Sequence, residues 1–193
     1  MNHFAHCLSA LLLAGWVAVP CGADESQPAT ARPAEARPAP ADGPWRNLSL
    51  NVYGFSYHTD REGIRQRGVD NEFNPGLGIS YEFHSDARGA AFFSAGTYKD
   101  SSNQWAKLAG PGYQFKLGDR WRVGAFLPVF QSKSYNQGRA FVAPLPLLTY
   151  DFGMMKLNAV YAPRFAPANN FAVFGFYFSI PFETIGALGG RLN

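Results

Sequence analysis

The chain has 193 residues, of which 47% are hydrophobic, 16% aromatic and only 16% charged, with a net charge of +3. The length suits one domain, the charge gives no ground for nucleic-acid binding, and the charged fraction falls below the roughly 25% of an ordinary soluble domain. Beyond the N-terminus no apolar run approaches the ~18 residues of a spanning helix, so any membrane crossing must be made by alternating strands.

Residues 8–20 are apolar, and Cys21-Gly22-Ala23 offers small side chains to a signal peptidase; residues 1–23 are therefore predicted to be a signal peptide cleaved after Ala23. Cleavage removes Cys7 and Cys21, the 2 cysteines of the chain, and with them disulfides, thiolate catalysis and cysteine-bound metal. Residues 24–44 carry prolines at 28, 33, 38, 40 and 44, which reads as an extended, disordered linker. The folded part is predicted to span 45–182, followed by a tail over 183–193.

From residue 47 onward eight runs of about ten residues succeed one another: 47–58, 75–84, 89–99, 104–116, 120–131, 139–151, 154–162 and 171–182. A tilted membrane-crossing strand needs about 9–11 residues. In the second run Leu77, Ile79, Tyr81 and Phe83 oppose Gly78, Ser80, Glu82 and His84. In the fifth, Trp121, Val123, Ala125, Leu127 and Val129 oppose Arg122, Gly124, Phe126 and Phe130. In the seventh, Met155, Leu157, Ala159 and Tyr161 oppose Lys156 and Asn158. In the last, Phe174, Phe176, Phe178, Ile180 and Phe182 oppose Val173, Gly175, Tyr177 and Ser179. One wholly apolar face at period 2 is a face turned to lipid. Connections alternate between short (85–88, 117–119, 152–153) and mostly longer ones (59–74, 100–103, 132–138, 163–170), the asymmetry of periplasmic turns and external loops. The predicted fold is all-β: an eight-stranded antiparallel transmembrane barrel of the outer membrane, closed so that no edge is left exposed.

Eight strands leave room for side chains or one slender ligand, which excludes a diffusion pore. Tyr53, Phe55, Phe126 and Tyr177 are assigned inward, beside Gly78, Gly96, Gly124 and Gly175; they either plug the lumen or line an apolar slot. Pro75, Pro128, Pro144, Pro146, Pro163 and Pro181 lie in or beside predicted strands. Each lacks a ladder donor, so each marks a place where neighbouring strands can part and admit a lipid tail, or merely a local bulge.

His58 ends the first run, and Asp100 and Ser101 open the second external loop, which puts all three at one rim. His, Asp and Ser together can move a proton and stabilise an oxyanion. The same residue types in His84-Ser85-Asp86 fall at the opposite end and read as a turn. No metal-ligand cluster, phosphate-cradling glycine loop or G-x-S-x-G elbow is present, and no cofactor is expected.

The segment Lys99-Asp100-Ser101-Ser102-Asn103-Gln104-Trp105, followed by Ala109-Gly110-Pro111-Gly112, resembles the lipid A palmitoyltransferase (PagP) family. So do His58 at nearly the family's spacing, Asn71-Glu72-Phe73-Asn74-Pro75-Gly76, Pro144-Leu145-Pro146 and Tyr161-Ala162-Pro163; the likeness covers roughly 58–163. The resemblance implies a monomeric outer-membrane enzyme that moves a palmitoyl-type chain from a glycerophospholipid to a hydroxyl of lipid A. It further implies catalytic roles for His58, Asp100 and Ser101, an acyl-chain floor at Gly112, and lateral gates at Pro75 on one side and Pro144, Pro146 and Pro163 on the other. Two departures stand against it: the family's N-terminal amphipathic helix is replaced by the Pro/Ala linker, and the chain runs past Phe182. A third-loop arginine of the family has only Lys133 or Arg139 as counterparts. A non-catalytic barrel of the same lineage, structural or lipid-binding, and a lipid acyl hydrolase stay open. Arg61, Arg65, Arg67, Lys99, Lys133 and Arg164 are rim cations suited to lipid phosphates or to a solvated surface.

Overall fold

Alternation turns each strand into two surfaces, and the computed structural model shows where both go. It describes residues 45–165 and 169–189; the predicted signal peptide, the linker and the end of the tail lie outside the described residues. Ten strand segments run in chain order: β1 (Leu48–His58), β2 (Phe73–Ser85), β3 (Gly89–Lys99), β4 (Trp105–Leu117), β5 (Trp121–Phe126), β6 (Val129–Gln131), β7 (Phe141–Val142), β8 (Leu145–Asp151), β9 (Lys156–Ala162) and β10 (Val173–Pro181). Every pairing is antiparallel, in the order β3-β2-β1-β10-β9-β8-β5-β4, and β3 with β4 closes the ring. β6 continues β5 beyond Leu127-Pro128, and β7 precedes β8 across Ala143-Pro144, so the ten segments make eight staves.

The outer wall carries the apolar faces read from the sequence: Leu77, Ile79, Tyr81, Phe83, Trp121, Val123, Leu127, Val129, Phe174 and Phe178 are all exposed. In water such a belt would be a liability; in hydrocarbon it is the required surface. The barrel is thus built as a membrane-spanning barrel of the outer-membrane type, with external loops at one end and short turns at the other. Two assignments are corrected. Phe55, expected inside, is 60% exposed on the outer wall. Phe182, expected to extend the last strand, instead starts a helix, α2 (Phe182–Gly189), and stacks on Trp45 at 5.9 Å. A second helix, α1 (Arg61–Gln66), forms within the first external loop, capped by the Asp60 carboxylate on the Gly63 N–H.

The lumen divides into two levels. Towards the short turns it is polar: Gln114 Nε2 donates to Thr149 Oγ1 (2.5 Å), Thr149 to Asn158 Oδ1 (2.7 Å), Asn158 Nδ2 to Ser179 Oγ (2.9 Å) and Ser179 to Asn51 Oδ1 (2.7 Å). Asn51 Nδ2 then donates to Ser94 (3.1 Å), and Ser94 to the Ile79 carbonyl (3.2 Å). Below this circuit Glu82 pairs with Arg122 at 3.2 Å and Lys156 at 3.6 Å. Each polar group thereby recovers a partner for the water it gave up. Above it lies an apolar level of Phe92, Leu108, Phe126, Phe130, Leu145 and Leu147. Tyr53 packs over Gly78 and Gly96, where an added Cβ would meet its hydroxyl at 2.9 and 2.5 Å.

At this upper level the ladders are incomplete. The β2–β3 register begins only at Gly76↔Tyr98, leaving Asn74 and Pro75 unpaired with β3. The β8–β9 register stops at Leu147↔Val160, so Leu145, Pro146 and the end of β9 next to Pro163 are unzipped. Both gaps thus fall at prolines, which have no N–H to give a ladder.

Candidate active site

The placement of His58 depends on one irregularity. Strict alternation counted from the inward Tyr53 would turn Ser56 and His58 to lipid. β1 instead slips register between Tyr53 and Phe55 against both neighbours: Gly54 is an extra residue against β10, while against β2 it faces both Asn74 and Pro75. A bulge consumes one residue without a pairing partner and resets the facing of the residues after it. Phe55 and Tyr57 therefore point out, while His58 is 4% exposed and buried on the lumen side. The same phase puts Ser56 in the wall of the lumen.

Ser101 comes from the tight loop after β3. Asp100 N–H bonds to the Gln104 carbonyl (2.8 Å) and Asn103 N–H to the Asp100 carbonyl (2.8 Å), with Asn103 in the left-handed region at φ 58°. This turn delivers Ser101 Oγ to 3.4 Å from His58 Nε2 and 3.5 Å from Ser56 Oγ. That is a hydroxyl facing a base, slightly longer than the reach of about 2.6–3.2 Å at which proton transfer occurs. His58 Nδ1 has no hydrogen-bond partner among the described residues, so no carboxylate orients the ring.

Asp100 does something else. It is 1% exposed, and its Oδ1 accepts the N–H groups of Ser102 (2.9 Å) and Gln104 (3.0 Å). Its Oδ2 accepts the hydroxyl of Ser132 at 2.5 Å. Its hydrogen bonds thus run to its own loop and to the third external loop, not to His58. Asn74 Nδ2 donates to the Lys99 carbonyl (3.0 Å), bracing the other side of the same turn.

Beneath these groups an apolar cavity of about 120 Å³ runs down the upper lumen, with Ser56, Asn74, Asp100 and Ser101 at its head and Leu108, Phe126, Leu145, Val160 and Tyr177 along its sides. His58 stands behind Ser101 rather than in the cavity wall. Tyr135, from the third loop, also lines it; burial and the nearby Asp100 charge push its phenol up to about 12, so it stays an O–H donor. Gly112 lies at the base of the apolar level, where the Phe92 ring occupies the space a Cβ would need. Phe92 and Phe126, 5.8 Å apart, seal the slot from the polar circuit below.

His58 and Ser101 are brought together as sequence spacing implied, Asp100 stands beside them on other partners, and Pro75, Pro144, Pro146 and Pro163 border the unzipped ladders. Ser56, Ser132 and Tyr135 were not foreseen; isolated loop and strand residues of common types carry no spacing signal. Of the rim cations, Arg61 pairs with Glu72 at 3.1 Å and lies over Tyr57, Arg67 covers Phe171, and Lys99 approaches Trp105. His84 and Asp86 form the foreseen turn: Asp86 Oδ1 accepts the N–H groups of Arg88 and Gly89 at 2.8 and 2.9 Å. Among the described residues no group of His, Cys, Asp and Glu could hold a metal ion.

Fold and site together define the class: a small closed barrel of the outer-membrane type with an apolar slot that ends under a histidine–serine pair. No protein-family model matches the chain, and no curated protein is similar to it in sequence. Among solved structures it is similar to the Yersinia pestis outer membrane protein Ail in phospholipid bilayer nanodisc, at 11% identity and a TM-score of 0.41, over 69% of this chain and 99% of that one. At that distance the likeness bears on neither activity nor partners.

Proposed function

We propose that this barrel is an outer-membrane acyltransferase that moves a palmitoyl-type chain from a glycerophospholipid to a hydroxyl of lipid A. The observation that carries the reading is the apolar slot whose head is the Ser101 hydroxyl, with His58 Nε2 behind it. A donor acyl chain in the slot brings its ester carbonyl to Ser101. His58 serves as general base and acid on the transferring proton, through Ser101. The carbonyl–oxygen ester bond of the donor breaks, a new ester forms on the acceptor hydroxyl, and lysophospholipid leaves with that hydroxyl's proton. Asp100 shapes the loop that presents Ser101. The unzipped walls at Pro75 and at Pro144, Pro146 and Pro163 serve as lateral entries for lipid, and the Gly112–Phe92 contact limits chain length. The ordered likeness of the 58–163 region to the lipid A palmitoyltransferases points the same way.

The unpartnered His58 Nδ1 favours a second reading, a non-catalytic barrel that holds lipid in the slot. Mass spectrometry of lipid A separates the two. Cells carrying the wild-type protein in the outer membrane, with phospholipid made available in the outer leaflet, are expected to gain a palmitate-sized mass on lipid A. His58→Ala and Ser101→Ala are each expected to abolish the gain. No gain in the wild type removes lipid A acylation, and free fatty acid in its place identifies a hydrolase.

A further inference from the structure

We propose that Ser132 is the positioning residue of this site: its hydroxyl on Asp100 latches the third external loop to the second and fixes Ser101 against His58. This rests on the acyl-transfer reading for its consequence, though not for its geometry.

Ser132 and Asp100 are both buried, at 2% and 1% exposure, and belong to loops 32 positions apart. The contact is a direct hydrogen bond from the Ser132 hydroxyl to Asp100 Oδ2 that joins the two loops. With Oδ1 bonded to Ser102 and Gln104 N–H, the carboxyl group has partners on both oxygens. Ser132 is itself held: its Oγ accepts the Ser134 N–H at 3.2 Å, and its carbonyl accepts the Tyr135 N–H at 3.3 Å. Tyr135 then packs edge-on to Phe130 at 5.3 Å and lines the slot. Asn74 pins the opposite side of the turn through the Lys99 carbonyl. Ser101 thus hangs between two pins, one from β2 and one from the third loop. Removing the second leaves a buried carboxylate oxygen without its donor, a loss the loop relieves by moving. A displacement of about 1 Å costs a positioned reaction on the order of a hundredfold.

Two readouts test it on the full-length barrel in lipid bilayers, each variant first shown to be folded. Hydrogen exchange at the Ser102 and Gln104 amides is expected to speed up in Ser132→Ala and to stay near wild type in Ser132→Thr, which keeps the hydroxyl. In the acyl-transfer assay with phosphatidylcholine donor and purified lipid A, Ser132→Ala is expected to lower kcat by roughly tenfold or more, with KM for the donor within about twofold. Ser132→Thr is expected to restore kcat. If Ser132→Ala does not fold, Ser132→Cys, a weaker donor, must fall below Ser132→Thr in both measurements. Wild-type exchange and kcat in Ser132→Ala, or equal Cys and Thr variants, overturn the latch. A wild type without transfer overturns the enzymatic reading, while the exchange data still decide the latch.

Discussion

The two levels of the lumen are built from the same eight staves to opposite ends. Towards the short turns the β5–β8 and β8–β9 ladders are continuous, β2–β3 slips once between Glu82 and His84, and the inward side chains form one hydrogen-bonded circuit from Gln114 to Ser94. Towards the external loops, prolines interrupt β5/β6 and β7/β8, the β2–β3 and β8–β9 ladders stop short, and the inward side chains are apolar. The lower level satisfies its polar groups with each other. The upper level leaves ladder positions unpaired and keeps a largely apolar slot, with Ser56, Asn74, Asp100, Ser101, Tyr135 and Asn169 as polar groups towards its head. Stability and chemistry are thereby separated along the barrel axis, and a substitution should betray its level by which property it changes.

The sharpest break is expected at Asn51, the hub that accepts from Ser179 and Ser80 and donates to Ser94. Asn51→Ala strands several buried partners and should lower the unfolding free energy by about 3 kcal/mol. Urea titration in bilayers measures this, and acyl transfer per folded molecule should stay unchanged. Gly112→Ala tests the seam between the levels. The new Cβ collides with Phe92, so the ring must shift, at a cost of about 1–3 kcal/mol. Mass spectrometry of products from mixed-chain donors should then show shorter chains than the wild type transfers. Replacing Pro144 and Pro146 together by Ala supplies two missing ladder donors at the β8–β9 gap. Transfer should slow several-fold while thermal stability holds or rises, which single-turnover kinetics beside melting curves would show; faster transfer would argue against entry through that wall. The smallest effect belongs to Asp86 at the turn end. Backbone N–H groups of Gly89 and Arg88 lower its pKa below the ordinary 3.8. The folded value is the depressed one, so its contribution is present above about pH 4 and is lost as pH falls through the folded value. Asp86→Asn should flatten a shallow loss of stability in that acid range and leave neutral pH untouched.

Much of the wall was legible because alternation is a direct imprint of a two-solvent surface: Leu77 to Phe83 and Phe174 to Ile180 could face only lipid. The rim pair was legible through ordered motif spacing. What escaped needed information that periodicity does not hold. Phe55 was misplaced because alternation carries no marker for a bulge. α1 has six residues, too few for a helical repeat, and α2 contains Gly186 and Gly189, poor helix formers held by the end of β10. The Ser132–Asp100 contact joins two loops whose approach is set by barrel closure.

Facing along a barrel strand is a matter of parity. A barrel strand is read in twos, and a single added residue normally re-addresses every side chain after it, sending a lumen group into hydrocarbon. At Gly54 the slip is taken up, as a surplus against β10 and a deficit against β2, and an added Cβ there would meet nothing within 4 Å. Loss of Gly54 would keep His58 facing the lumen but leave Asn74 and Pro75 of β2 with no residue of β1 opposite them. Gly54 is therefore the position at which the facing of His58 is set.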